Sequence, residues 1–174
     1  MKRIETLQEI EDLELKVYRS VELALGAVTQ TLSACEPIEA FTRLRFAQVG
    51  FHPTEGRPLN LIEQLNQTFT FLASLRAVRW LAEKHKNALP LRLSLGALAG
   101  FDIESENGDL VAETFAAVDP RNNDKLTKDI QKLASQSHQH RYVFYICPGR
   151  EWRPPESVEG VTVVQIPWPK EKTQ

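Results

Sequence analysis

Apolar side chains recur along this chain at two different periods, and the switches between them mark its elements. Ile4, Leu7, Ile10, Leu13, Val17, Val21, Ala24, Val28 and Leu32 fall three and four apart, which predicts one long helix over residues 4–33 with a single apolar stripe. Acidic residues crowd its first half, where they favour the positive end of the helix dipole. Glu36-Pro37 ends it, because the residue before a proline is pushed out of the helical region. Residues 43–49 alternate as a short strand does. Residues 51–58 read as a loop from their Pro and Gly content, with His52 as a solvated member.

Residues 59–86 predict a second helix, whose core stripe is Leu61, Leu65, Phe69, Leu72, Leu75 and Leu81. Its other side is unusual: Asn60, Glu63, Gln67, Thr70 and Ser74 form a stripe of amides and hydroxyls with one carboxylate. A solvated face would carry several Lys and Glu, so this one reads as turned either toward a polar cleft or into an interior hydrogen-bond network. The period then drops to two. Residues 91–95, 101–104 and 110–118 read as strands, the last two joined across Asn107-Gly108, a pair suited to a type I′ turn. A helix over residues 124–135 buries Leu126, Ile130 and Leu133, and Lys125, Lys128 and Lys132 give it a basic stripe. Residues 141–147 are nearly all apolar, as in a strand covered on both faces, and residues 161–166 form a last strand. The order predicts a three-strand meander, a crossover helix and a parallel strand. That is a mixed-sheet α/β domain flanked by helices and preceded by a long N-terminal helix.

Composition narrows the class without naming a chemistry. The 174 residues are 42% hydrophobic and 25% charged, with a net charge of −2, so the chain as a whole is not a basic nucleic-acid binder. Residues 1–40 carry four basic and eight acidic side chains, whereas residues 121–141 carry five basic and two acidic ones. Cys35 and Cys147 alone make neither a zinc site nor a disulfide scaffold. No signal-peptide core or membrane-length apolar run is present, so a cytoplasmic protein that spans no membrane is the expectation.

One residue breaks the pattern. Glu113 sits within an otherwise apolar strand, and an unpaired charge there costs several kcal/mol. It is either a site residue or one half of a buried ion pair, with Arg92 or Lys125 as partner. No glycine-rich phosphate loop, His-Glu-x-x-His helix or Ser-His-Asp set accompanies it.

The helix–meander–helix–strand order, with Asp102 on the second core strand and Glu113 on the third, resembles the PD-(D/E)XK, restriction endonuclease-like nucleases. The resemblance covers roughly residues 59–147 within a single domain over 1–174, with residues 1–36 as its N-terminal helix and 59–166 as its core. Ten residues separate the Asp from the Glu, and Glu63 stands where a core-helix carboxylate often joins the site. The resemblance implies a Mg²⁺- or Mn²⁺-dependent endonuclease acting on DNA, with Glu63, Asp102 and Glu113 as metal ligands. Phe115 stands where the family's lysine belongs, so the cation is expected from Lys125 or Lys128; otherwise the fold is kept for binding nucleic acid or a protein partner. Lesser candidates are Glu104 and Gln67 as site residues; Tyr142, Tyr145 and Trp152 read first as core packing and only second as base-stacking surfaces. The N-terminal helix reads first as packed on the domain through its apolar stripe, and second as the surface for a homodimer or a partner helix.

Overall fold

The computed structural model describes residues 1–85, 87–96, 100–120, 122–148 and 157–168. In chain order its elements are β1 (Lys2–Ile4), α1 (Leu7–Ala34), α2 (Pro37–Phe46), β2 (Gly50–Phe51), β3 (Pro58–Leu59) and α3 (Leu61–Lys84). There follow β4 (Leu91–Leu93), β5 (Ile103–Ser105), β6 (Leu110–Ala116), a 3₁₀ turn (Asn122–Asp124), α4 (Lys125–Ala134), β7 (His140–Ile146), β8 (Ser157–Val158) and β9 (Val161–Gln165). They form two compact units, Gln8–Leu72 and Met1–Leu7 with Ala73–Gln174, and α3 contributes to both.

The second unit holds a mixed seven-stranded sheet in the order β1-β4-β5-β6-β7-β9-β8. β4, β5 and β6 are antiparallel neighbours, the expected meander, and α4 carries the chain to β7, which pairs parallel with β6. β6 and β7 lie in the middle of the sheet, which is why they read as apolar runs rather than alternating ones. Val111, Phe115, Val143 and Tyr145 pack with Leu126, Ile130 and Leu133 of α4, each buried Leu or Ile stabilising by about 2 kcal/mol. On the opposite face, Trp80 of α3 meets Tyr142 and Phe144 edge-on. The strands therefore have helix on both sides.

Several expectations need correction. The first helix starts at Leu7 rather than at residue 4: Ile4, fully buried, ends β1 and pairs with Leu91. Residues 43–46 belong to α2 rather than to a strand. Pro37 opens that helix at a position where its missing N–H costs nothing, so it starts a second helix as well as following the first. The turn at Asn107-Gly108 is not type I′. The Gly108 N–H donates to Ser105 O at 3.1 Å, Asn107 keeps an ordinary φ, and only Gly108 is left-handed, at φ +75°. The Asn107 carboxamide instead accepts the Asp109 N–H, which tightens a four-residue loop. Nothing lies within 4 Å of a Cβ added at Gly108, so Gly108→Ala is expected to cost only the left-handed backbone penalty, about 1 kcal/mol. Urea denaturation checks this; a loss below a few tenths of a kcal/mol would mean that the loop relaxes.

The first unit packs α1 through Ile10, Leu13, Val17 and Ala24. His52 is buried there rather than solvated. Its Nδ1 accepts the Glu55 N–H at 3.2 Å, and its ring meets Phe71 edge-on. Burial lowers its pKa, the Arg57 charge adds to that and the Glu55 carboxylate opposes it, so the ring is neutral at pH 7. No helix among the described residues is long and apolar enough to cross a membrane.

Candidate functional site

The pleat decides which residues of β6 can meet. Val111, Glu113 and Phe115 share the face under α4, and Thr114 points to the other. Asp102 lies just before β5, whose first residue, Ile103, pairs with Ala112, the neighbour of Glu113. Asp102 is tied to the neighbouring residue: its Oδ2 accepts the Thr114 N–H at 2.7 Å and the Thr114 hydroxyl at 3.1 Å. That hydroxyl lies 2.6 Å from Ser74 Oγ of α3. Asp102 is thus held from β6, and one of its oxygens is engaged.

Glu113 is 4% exposed, and its partner is neither Arg92 nor Lys125. Lys132 Nζ lies 2.5 Å from Glu113 Oε1, donates to Gly100 O at 2.6 Å, and sits 5.0 Å from the Phe101 ring centre. Two acceptors and an aromatic face fix this ammonium from three sides. Burial raises the Glu113 pKa; the Lys132 hydrogen bond and charge pull it down, and the Asp102 and Asp129 charges push it up.

Asp129 was not anticipated. It is 4% exposed on α4, and Lys125 Nζ lies 2.5 Å from its Oδ1 and 6.0 Å from the Phe115 ring centre. Its Oδ2 has no hydrogen-bond partner among the described residues. Burial raises its pKa above the ordinary aspartate value, Lys125 lowers it, and the Asp102 charge raises it. Lys125, Asp129 and Lys132 recur at i, i+4 and i+7, so α4 delivers a plus–minus–plus stripe beside β6. The sequence did carry a signal: Leu126, Asp129, Ile130 and Leu133 follow one buried period, so the aspartate lies on the face that packs.

The remaining candidates fall elsewhere. Lys128 is exposed and donates to Asn123 O at 3.0 Å, away from the stripe. Glu63 is exposed in the other compact unit, in the first turn of α3, where its N–H is capped by Asn60 Oδ1 at 2.9 Å. The polar stripe of α3 does not act as one surface: Asn60 is a cap, Thr70 bonds back to Asn66 O, and Ser74 reaches Thr114. Gln67 is half-buried, and its Oε1 has no partner among the described residues. Glu104 lies across the strands from Arg92.

Phe115 stacks on Tyr145 within the core and offers Glu113 no cation. Tyr142 and Tyr145 are buried rather than open to a base, and burial pushes the Tyr145 hydroxyl up to about 12. Trp152 lies outside the described residues. His85 is half-buried, with its Nε2 2.8 Å from the Tyr142 hydroxyl and its ring 4.5 Å from that of His140. Burial lowers the His85 pKa, and the charges of His140 and Lys84 lower it further.

Among the described residues no group of three His, Cys, Asp or Glu side chains is arranged to hold a metal ion. No known family, curated protein or solved structure matches the chain.

Proposed function

We propose that the chain is a metal-dependent phosphodiesterase of the PD-(D/E)XK type acting on DNA, with Asp102, Glu113 and Lys132 at its centre. The observation that carries this reading is Lys132. An ammonium reaches Glu113 from α4 at 2.5 Å, supplying the charge that Phe115 cannot.

The donor set fits a hard cation in kind. Mg²⁺ is commonly bound by one or two carboxylates together with substrate phosphate and water, and Asp102 and Glu113 are the carboxylates available. Bound there, the ion would polarise the phosphodiester and make a coordinated water more acidic. The other roles fall to the chain. Lys132 balances charge developing on the phosphoryl oxygens, held in place by Gly100 O and Phe101. Thr114 and Ser74 orient Asp102. Lys125 and Asp129 set the field around them.

A second reading, a nuclease-fold subunit that binds without cleaving, is favoured by one observation: Lys132 already occupies a Glu113 oxygen. Cleavage of duplex and single-stranded DNA in Mg²⁺ or Mn²⁺ separates the two. The expected result is metal-dependent cleavage that EDTA abolishes and that Asp102→Asn, Glu113→Gln and Lys132→Met each reduce by about 10²-fold or more. Wild-type protein without activity, or variants equal to it, would leave the binding subunit.

A further inference from the structure

We propose that the chain pairs with a second copy of itself through the outer faces of α1 and α2. α2 presents itself inside out. It buries Ala40 and turns Ile38 and Phe41 away from it, 80% and 73% exposed, with Phe46 at 75%. A helix solvated on that side would hide Ile and Phe and expose Ala. α1 carries the matching signal: residues 23–35 hold no charged side chain. On that stretch Leu25 and Leu32, both more than half exposed, interleave with half-buried Val21 and Val28 at the four-three-four spacing of a coiled-coil seam.

Area and charge both point to a like partner. At about 200 Å² for a fully exposed side chain of this size, Leu25, Leu32, Ile38, Phe41 and Phe46 leave roughly 700 Å² of apolar surface open. That sum is close to the ~800 Å² per partner of one standard interface. A heptad seam accepts another such seam. Antiparallel pairing about a two-fold axis packs each seam on its copy, and Arg45 of α2 is the cation offered to the acidic first half of the partner's α1 (Glu9, Glu11, Asp12, Glu14), Arg43 being already paired with Glu39. A lipid surface fits less well: Arg43 and Arg45 flank the apolar residues of α2, but Arg43 is paired with Glu39, and the acidic first half of α1 repels anionic headgroups.

Sedimentation equilibrium of the full chain from about 1 to about 100 μM tests this, a span in which an interface of this size commonly dissociates. The expected result is a concentration-dependent monomer–dimer equilibrium. Leu25→Glu and Phe41→Glu should each weaken it at least about tenfold while the far-UV circular dichroism stays that of wild type. Wild-type protein that stays monomeric throughout, or variants that pair as wild type does, would overturn the proposal. A monomer that co-sediments with phosphatidylserine vesicles would overturn it in favour of a lipid surface.

Discussion

At pH 7 the Lys132→Ala variant is expected to melt well below wild type, and much of the loss should return on acidification toward pH 5. Glu113 drives both effects. Its pKa is raised above 4.5, chiefly by burial, and Lys132 supplies the two contributions that hold it down. A carboxyl whose folded pKa is raised binds its proton more tightly in the folded chain than in the unfolded one. Its effect on stability is therefore nil below the unfolded pKa. As pH climbs from there to the folded pKa, stability falls, and above it the loss is complete. This is the reverse of a carboxylate whose pKa is depressed by an ion pair. Without Lys132 the folded pKa moves higher, so the falling window widens upward. Breaking a buried pair by removing one partner costs about 3–5 kcal/mol. The Lys132 side chain is 42% exposed, so water softens the loss to about 2 kcal/mol, or roughly 10 °C for a unit of this size. Adding Glu113→Gln should restore stability at pH 7, because no buried charge is then left unpaired. Thermal melts of the two single variants and the double variant between pH 5 and pH 8 check both statements. A Lys132→Ala variant within 0.5 kcal/mol of wild type at every pH would mean that water already reaches Glu113.

The same residue shows how far the sequence could be read. A lone carboxylate in an apolar strand was visible because β6 is covered on both faces, and a buried charge has few reasons to be there. Its partner was not visible. Lys125, Lys128 and Lys132 have equivalent spacing on paper, and only the roll of α4 on the sheet separates them. That roll is set by Leu126, Ile130 and Leu133, and it turns Lys132 onto Glu113 and Lys128 onto Asn123 O. The helix–meander–helix–strand order was legible for a similar reason. Each element is long or sharply bounded enough that its period survives. The short pieces were lost. Ile4 fits the stripe of α1 as well as it fits a strand, and only pairing with Leu91 decides between them. Alternation across residues 43–46 is too brief to outweigh the Pro37 start of α2. His52 looked solvated because its burial depends on Phe71, nineteen positions away.

Gly50→Ala is expected to destabilise the Gln8–Leu72 unit by about 3 kcal/mol, and the reason lies in Gln64 rather than in the backbone of Gly50. Gln64 is 2% exposed, and its amide joins three elements. Its Nε2 donates to Ser20 O of α1 at 3.0 Å, and its Oε1 accepts the Phe51 N–H of β2 at 2.7 Å. A Cβ on Gly50 would lie 2.7 Å from that Oε1, 3.0 Å from Asn60 O and 3.1 Å from Gln64 Cβ. None of these atoms is the loose end of a flexible side chain. The amide is pinned at both ends, and Asn60 O accepts the Gln64 N–H that opens α3. Relief therefore has to come from displacing the Gln64 amide, which strands buried polar groups at about 1–3 kcal/mol in addition to the overpacking itself. A double-mutant cycle measured by urea denaturation separates these causes. In a Gln64→Ala background, where the Oε1 contact is gone, Gly50→Ala should cost less than half as much. Equal costs in the two backgrounds would assign the strain to Asn60 O, and a Gly50→Ala variant as stable as wild type would mean that β2 shifts away from α3 at no cost.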